Sequence, residues 1–241
     1  MIGFTIDTDW APEEVIADAL LIFESAGIKA TIFATHRSEV ILNCNRDLFE
    51  IGIHPNFNKL LNGDFSNGRN PEEVIDLLLH IYPGAKGVRS HSMMQSSLLL
   101  KLFAEKGLVY DVNSFYPYNF TIHPYLCWTG LIRMPYTWED DVHFVYGKSF
   151  NDQELIAEII NAEYAVLDFH PVHIFMNSHT PDFYSSIRPY LRDPGELKKR
   201  INRENTGTRD FLLALIGLIK KKKTGTFKLI ESAGRWSKRL L

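Results

Sequence analysis

Two carboxylates, Asp7 and Asp9, stand one residue apart near the start of the 241-residue chain, directly after the run Ile2-Gly3-Phe4-Thr5-Ile6. Three further apolar runs lead into ionisable side chains. Ile51-Gly52-Ile53 ends at His54. Gly87-Val88 ends at Arg89, with His91 two residues on. Ala165-Val166-Leu167-Asp168-Phe169 ends at His170. Carboxylates and imidazoles at the ends of several parallel strands are the materials of a metal site at a barrel mouth. A metal held there polarises a carbonyl and lowers the pKa of bound water towards about 7. A nearby carboxylate can take the water's proton, and a histidine can protonate a leaving group. Plainer readings exist for each residue. Asp7 and Asp9 could be caps for a helix starting at Pro12, since acids are favoured there. One cap explains one acid and leaves the other over. His54 could close a tight turn, His91 could be an exposed loop residue, and Arg89 could pair with any surface acid. His170 could be a satisfied structural histidine.

The elements that would position these residues alternate between strand and helix. Pro12 to Ala26 reads as a helix with Gly27 past its end and Val15, Ala19, Ile22 and Phe23 on its inner stripe. Residues 30–34 and 49–53 read as strands. Asn70 caps a helix that continues through Val74, Leu77, Leu78 and Ile81. A strand is expected at 87–89, a helix at 96–106, strands at 131–134 and 165–169 with a helix near 152–160 between them, a helix at 208–220 and a last strand at 226–230. Residues 112–130 and 171–206, rich in aromatics, Pro and His, read as long loops of the kind that shape a pocket. Repeated βα units over this length predict a parallel barrel in a single domain spanning residues 1–241.

In order and type the motifs resemble the polysaccharide deacetylases, the NodB-homology or carbohydrate esterase family 4 proteins. The resemblance runs from Ile2 to the final strand and implies a distorted (β/α) barrel. In that family an aspartate after the first strand is the general base and a second binds metal, roles that fall on Asp7 and Asp9. The family's second motif, His-Ser/Thr-x-x-His, supplies two metal-binding histidines. Here it reads His54-Pro55-Asn56-Phe57-Asn58, so Asn58 stands where the second histidine is expected. The arginine that orients the base matches Arg89, although His91 replaces the proline that usually follows two residues later. Leu167-Asp168-Phe169-His170 matches the motif whose histidine is the general acid. The fourth motif, an acid and a tryptophan, is matched only loosely by Met134 to Asp141. The resemblance implies a divalent metal, zinc by preference, on Asp9, His54 and a third residue. Imidazole is the better zinc ligand, so His91 is preferred and Asn58 is the alternative. Asn56, Tyr136, Trp138 and His173 are expected to line the substrate pocket.

Composition bounds the partners. A formal net charge of -3 argues against nucleic-acid binding, which needs a basic surface. The run Phe211 to Ile219 is too short to span a bilayer. Lys220 to Lys223 behind it read as the solvated end of a helix rather than a membrane contact. Cys44 and Cys127 form no paired pattern and suggest a reducing compartment. No signal segment precedes the first strand, so a cytoplasmic protein is expected. Its substrate is then an N-acetylated saccharide at the precursor stage, linked to a nucleotide or a lipid. The expected activity is metal-dependent hydrolysis of the acetyl amide. A saccharide-binding relative without catalysis is the second reading, supported by Asn58. An Asp-x-Asp phosphatase with Asp7 as nucleophile leaves the three histidines unexplained. A glycosyltransferase would place a nucleotide-binding half before its Asp-x-Asp. Oligomeric state is not legible.

Overall fold

In the computed structural model, which describes residues 1–240, strands and helices alternate through most of the chain. In order they are β1 (Ile2–Asp7), α1 (Glu13–Ala26), β2 (Ala30–Ala34), α2 (Glu39–Leu42), β3 (Phe49–Ile53), α3 (Asn58–Leu61), α4 (Pro71–Ile81), β4 (Gly87–Val88), α5 (Ser97–Glu105), β5 (Tyr110–Asp111) and β6 (Tyr125–Leu126). Then come β7 (Ile132–Arg133), β8 (Trp138–Glu139), α6 (Asp140–Val145), α7 (Gln153–Asn161), β9 (Ala165–Phe169), α8 (Pro171–Met176), α9 (Pro181–Ile187), α10 (Pro194–Lys198), α11 (Thr208–Lys222), β10 (Thr226–Phe227) and α12 (Leu229–Leu240). The sheet runs β6-β7-β5-β4-β3-β2-β1-β9-β8, with β10 beside β1, and among the described residues only the β6–β7 pair is antiparallel. The sheet curls back on itself through one stretch. Tyr136 bridges to Phe115 beyond β5, and two residues later β8 pairs with β9. The result is a single-domain, distorted (β/α) barrel.

Alternation along the strands sorts the side chains. Ile2, Phe4 and Ile6 of β1 join the outer core with α1, where the rings of Phe4 and Phe23 meet edge-on at 5.5 Å. Burying a side chain such as Phe23 contributes roughly 1.5–3 kcal/mol. The alternate residues face inward and are mixed: Thr5, Asp7 and Thr31 are polar, whereas Phe33, Val112, Met134 and Val166 belong to a second buried apolar cluster. Thr5 and Asp168 are register partners across β1 and β9 and are hydrogen-bonded at 2.6 Å. Nearer the start of the strands, Glu50 accepts from Thr31 Oγ1 at 2.9 Å, Tyr110 Oη at 2.7 Å and the Ile230 amide at 2.9 Å. Gly87 makes room for this layer, because a Cβ there would lie 2.1 Å from the Tyr110 ring.

Asn70, Ser96 and Asp152 cap α4, α5 and α7 through their side chains, and Gly27 ends α1 in the left-handed region. Neither Asp7 nor Asp9 caps α1, whose N-cap position is Pro12 with no side-chain cap. The expected loop at 171–206 is corrected: it holds α8, α9, α10 and a 3-10 turn. Pro171, Pro181 and Pro194 sit in first turns, where a missing N–H costs nothing, and each helix is too short to show a hydrophobic period. The last strand stops at Phe227, and Ile230 belongs to α12.

Candidate active site

Asp7 ends β1 facing inward and is buried. Arg89, directly after β4, is also buried, and its guanidinium lies between the rings of Tyr136 (4.2 Å) and Phe33 (4.9 Å). Its Nη1 donates to Asp7 Oδ1 at 3.0 Å, to Thr5 Oγ1 at 3.0 Å and to Asp168 Oδ1, while Nε donates to Val112 O at 3.2 Å. Burial works against the charge on Arg89, but Asp168 and Asp7 outweigh it and raise its pKa further. Burial pushes the Asp168 carboxyl up to about 7 against the pull of Arg89.

Beyond β1 the chain makes a sharp bend. Asp9 and Trp10 are both left-handed, at φ 38° and 57°, a conformation that costs non-glycine residues about 1–3 kcal/mol each. Thr35 holds the bend: its Oγ1 accepts from the Trp10 amide at 3.0 Å and pairs with Thr8 Oγ1 at 3.0 Å. The bend sets Asp9 Oδ1 3.3 Å from His54 Nε2 and 3.2 Å from His91 Nδ1. His54 follows β3, its amide extending the ladder to Ala34 O; the His91 amide donates to Pro55 O. Asp9 Oδ1 is nevertheless buried without a hydrogen-bond partner among the described residues. Four ligands around an ion with bonds of about 2.0–2.1 Å stand roughly 3.3–3.4 Å apart in a tetrahedron. The Asp9–His54 and Asp9–His91 separations fit that spacing, so these three residues, with the unpartnered Asp9 oxygen, are a donor set that could hold a divalent ion. Burial opposes ionisation of Asp9, but the two imidazoles hold its carboxyl well below the usual range. Burial likewise opposes the charge on His54, and Asp7 and Asp9 outweigh it and raise its pKa.

His170 follows β9 and is held by Asp140, the first residue of α6. The ring Nδ1 lies 2.7 Å from Asp140 Oδ1, and the His170 amide donates to Asp140 Oδ2 at 2.9 Å. Its Nε2 is 3.7 Å from Asp9 Oδ2. Burial disfavours the imidazolium, but Asp140, with Asp141 and Asp9, raises the pKa well above the ordinary value. Asp7, Asp9, His54, Arg89, His91 and His170 thus line one cleft of about 110 Å³ at the C-terminal mouth of the barrel, with Tyr136 and Glu139. A larger cavity of about 530 Å³, between Met1, Tyr164 and α12 at the other end, contains none of them.

Other positions fall elsewhere. Asn58 Nδ2 donates to Ser92 Oγ at 2.9 Å, and Asn58 does not line the cleft around Asp9. Asn56 Oδ1 accepts from the Asn58 amide and shapes the turn. Trp138 corrects an expectation: it is a core residue, stacked on Phe211 at 4.8 Å and closed off from the cleft, with Nε1 donating to His143. His173 is buried, hydrogen-bonded to Ser178 and packed on Tyr184, beside a second cleft of about 80 Å³ that shares Asp9, Asp141 and His170. Burial pushes the His173 imidazole down to about 4, so it is neutral at pH 7. Sequence reasoning missed Asp140 as the partner of His170 and Asp168 as a partner of Arg89. The signals for Asp140 were the loose fourth-motif match over Met134 to Asp141 and the acidic run from Glu139 to Asp141, neither of which singles it out.

Residues 4–188 match the family model described as WbmS-like polysaccharide deacetylase. A crystal structure from Bordetella bronchiseptica, described as a polysaccharide deacetylase involved in O-antigen biosynthesis, is 38% identical, covers 90% of each chain and superposes with a TM-score of 0.81. The Bc1960 peptidoglycan N-acetylglucosamine deacetylase is 16% identical over 95% of this chain and 85% of its own, with a TM-score of 0.50. A carbohydrate esterase family 4 pseudoenzyme from Bacillus anthracis is 14% identical over 97% of this chain and 65% of its own, with a TM-score of 0.51. The last two likenesses concern the fold alone. No curated relative matches.

Proposed function

The chain belongs to the WbmS-like polysaccharide deacetylase family, and within it we propose that the protein hydrolyses the acetyl amide of an N-acetylated sugar in a surface-polysaccharide precursor. One arrangement carries the reading: Asp7 and His170 stand beside the Asp9–His54–His91 group, each gripped by a separate partner, Arg89 and Asp140. When bound at Asp9, His54 and His91, a divalent ion such as zinc supplies carbonyl polarisation and a water of lowered pKa. Arg89 ties Asp7 through Oδ1 and orients the carboxylate that accepts the water's proton. Asp140 holds Nδ1 of His170, so Nε2 is the nitrogen that delivers a proton to the departing amine as the C–N bond breaks. The cleft, at about 110 Å³, has room for an acetyl group beside Asp9. The O-antigen role given to the Bordetella relative supports a nucleotide- or lipid-linked precursor as donor.

Family membership leaves the phosphatase and glycosyltransferase readings without support. Saccharide binding without turnover remains the second reading, favoured by Asn58 at the missing histidine's position. The test is free-acetate release from N-acetylated sugar nucleotides and lipid-linked sugars, with zinc, cobalt or manganese added. Acetate from at least one donor, abolished by chelation, is expected. Saccharide binding with no acetate from any donor selects the second reading.

A further inference from the structure

We propose that Asp168 is a positioning residue: its carboxylate fixes the Arg89 guanidinium, and through Arg89 it sets the place of Asp7. The inference rests on the deacetylase reading and extends it to a residue outside the proton transfers. Strand alternation puts Asp168 and His170 on the same inward face of β9, so the strand that carries the acid also reaches the partner of the base. Arg89 Nη1 divides its hydrogens between Asp7 and Thr5 on one side and Asp168 on the other. Arg89 Nη2 has no partner among the described residues. The Tyr136 and Phe33 rings cover the faces of the guanidinium, and among its hydrogen bonds only those of Nε to Val112 O and of Nη1 fix its rotation between them. Asp168 serves no other group: its Oδ1 accepts from Thr5 and Arg89, and its Oδ2 has no hydrogen-bond partner among the described residues. Without Asp168, Nη1 retains contacts to β1 alone and the guanidinium can swing across Asp7. A buried ion pair is a weak source of stability, and an apolar residue like the inward Val166 would fill the space as well. Placement of Arg89 explains the acid; packing does not.

The test uses Asp168→Asn, which keeps size and removes charge. Nitrogen-15 spectra of the Arg89 guanidinium should show separate, slowly exchanging Nη protons in the wild type and averaged ones in the variant. Turnover of UDP-N-acetylglucosamine or diacetylchitobiose should lose about 10- to 100-fold in kcat, as when a ligand's outer partner is removed, with KM and cobalt affinity unchanged. Unchanged kcat overturns the proposal, as does parallel loss of kcat, cobalt binding and fold, which would make Asp168 merely structural. If the wild type releases no acetate from either compound, the deacetylase assay has failed on its own terms and the spectra alone judge the clamp. Averaged Nη protons in the wild type overturn it whether or not the variant folds.

Discussion

At the scale of the residue, the site is a set of charges that hold one another. His54 is the clearest case. Its raised pKa means that a proton must leave before the ring can ligate, so metal binding should release protons and weaken as pH falls. Calorimetry in buffers of different ionisation enthalpy reads this directly. His91→Ala should weaken cobalt or zinc binding more than Asn58→Ala, because Asn58 is turned to Ser92; the reverse order would move the third ligand to Asn58. His170 gives a second prediction. A raised folded pKa contributes stability that is full below the ordinary value of about 6.5 and is lost as pH rises through the folded value. Asp140→Asn should therefore destabilise most at acid pH, by about 3 kcal/mol or more for a broken buried pair, and least at alkaline pH. The alkaline limb of kcat should move to lower pH in the same variant. A loss of stability independent of pH would mean that Asp140 does not hold a charged His170. Asp7, Asp9, His54, Arg89, His91 and His170 were legible because each follows a strand pattern. Asp140 and Asp168 were not. One sits in a run of three acids that periodicity cannot separate, and the other occupies a variable position of its motif.

At the scale of the element, what could be read was what has a period or a cap. α4, α5 and α7 announce themselves by Asn70, Ser96 and Asp152 and by their apolar stripes. β5 and β8 are two residues long and α6 only six, below the length at which alternation or a helical stripe is visible. Yet β8 and α6 deliver Asp140, so the least legible elements carry the partner of the acid. The short strands also pack closely. Gly87→Ala would drive a methyl into the Tyr110 ring two residues before Arg89, at a cost of about 1–3 kcal/mol for overpacking, and should lower activity as well. Gly84→Ala, with nothing within 4 Å, should change stability by less than about 0.5 kcal/mol. Equal denaturation midpoints for the two variants would contradict this packing.

At the scale of the whole molecule, the helices cover an apolar outer core, while inside the barrel a second apolar cluster around Phe33, Val112, Met134 and Val166 lies beside the buried polar residues Asp168, Arg89 and Asp7. The sequence announced parallel βα repetition, and from it the barrel. It did not announce closure of the ring, because Phe115 and Tyr136 meet through an isolated bridge that leaves no pattern. Among the described residues no helix is long and apolar enough to cross a membrane. The central claim is that this one mouth performs metal-assisted amide hydrolysis with Asp7 as base. It is tested most directly by acetate release from an N-acetylated sugar donor, comparing cobalt-loaded wild type with cobalt-loaded Asp7→Asn. Asp7→Asn should keep its cobalt and lose about 10²–10⁴-fold in rate. Asp7→Asn releasing acetate as fast as the wild type, with cobalt bound equally, would contradict the claim.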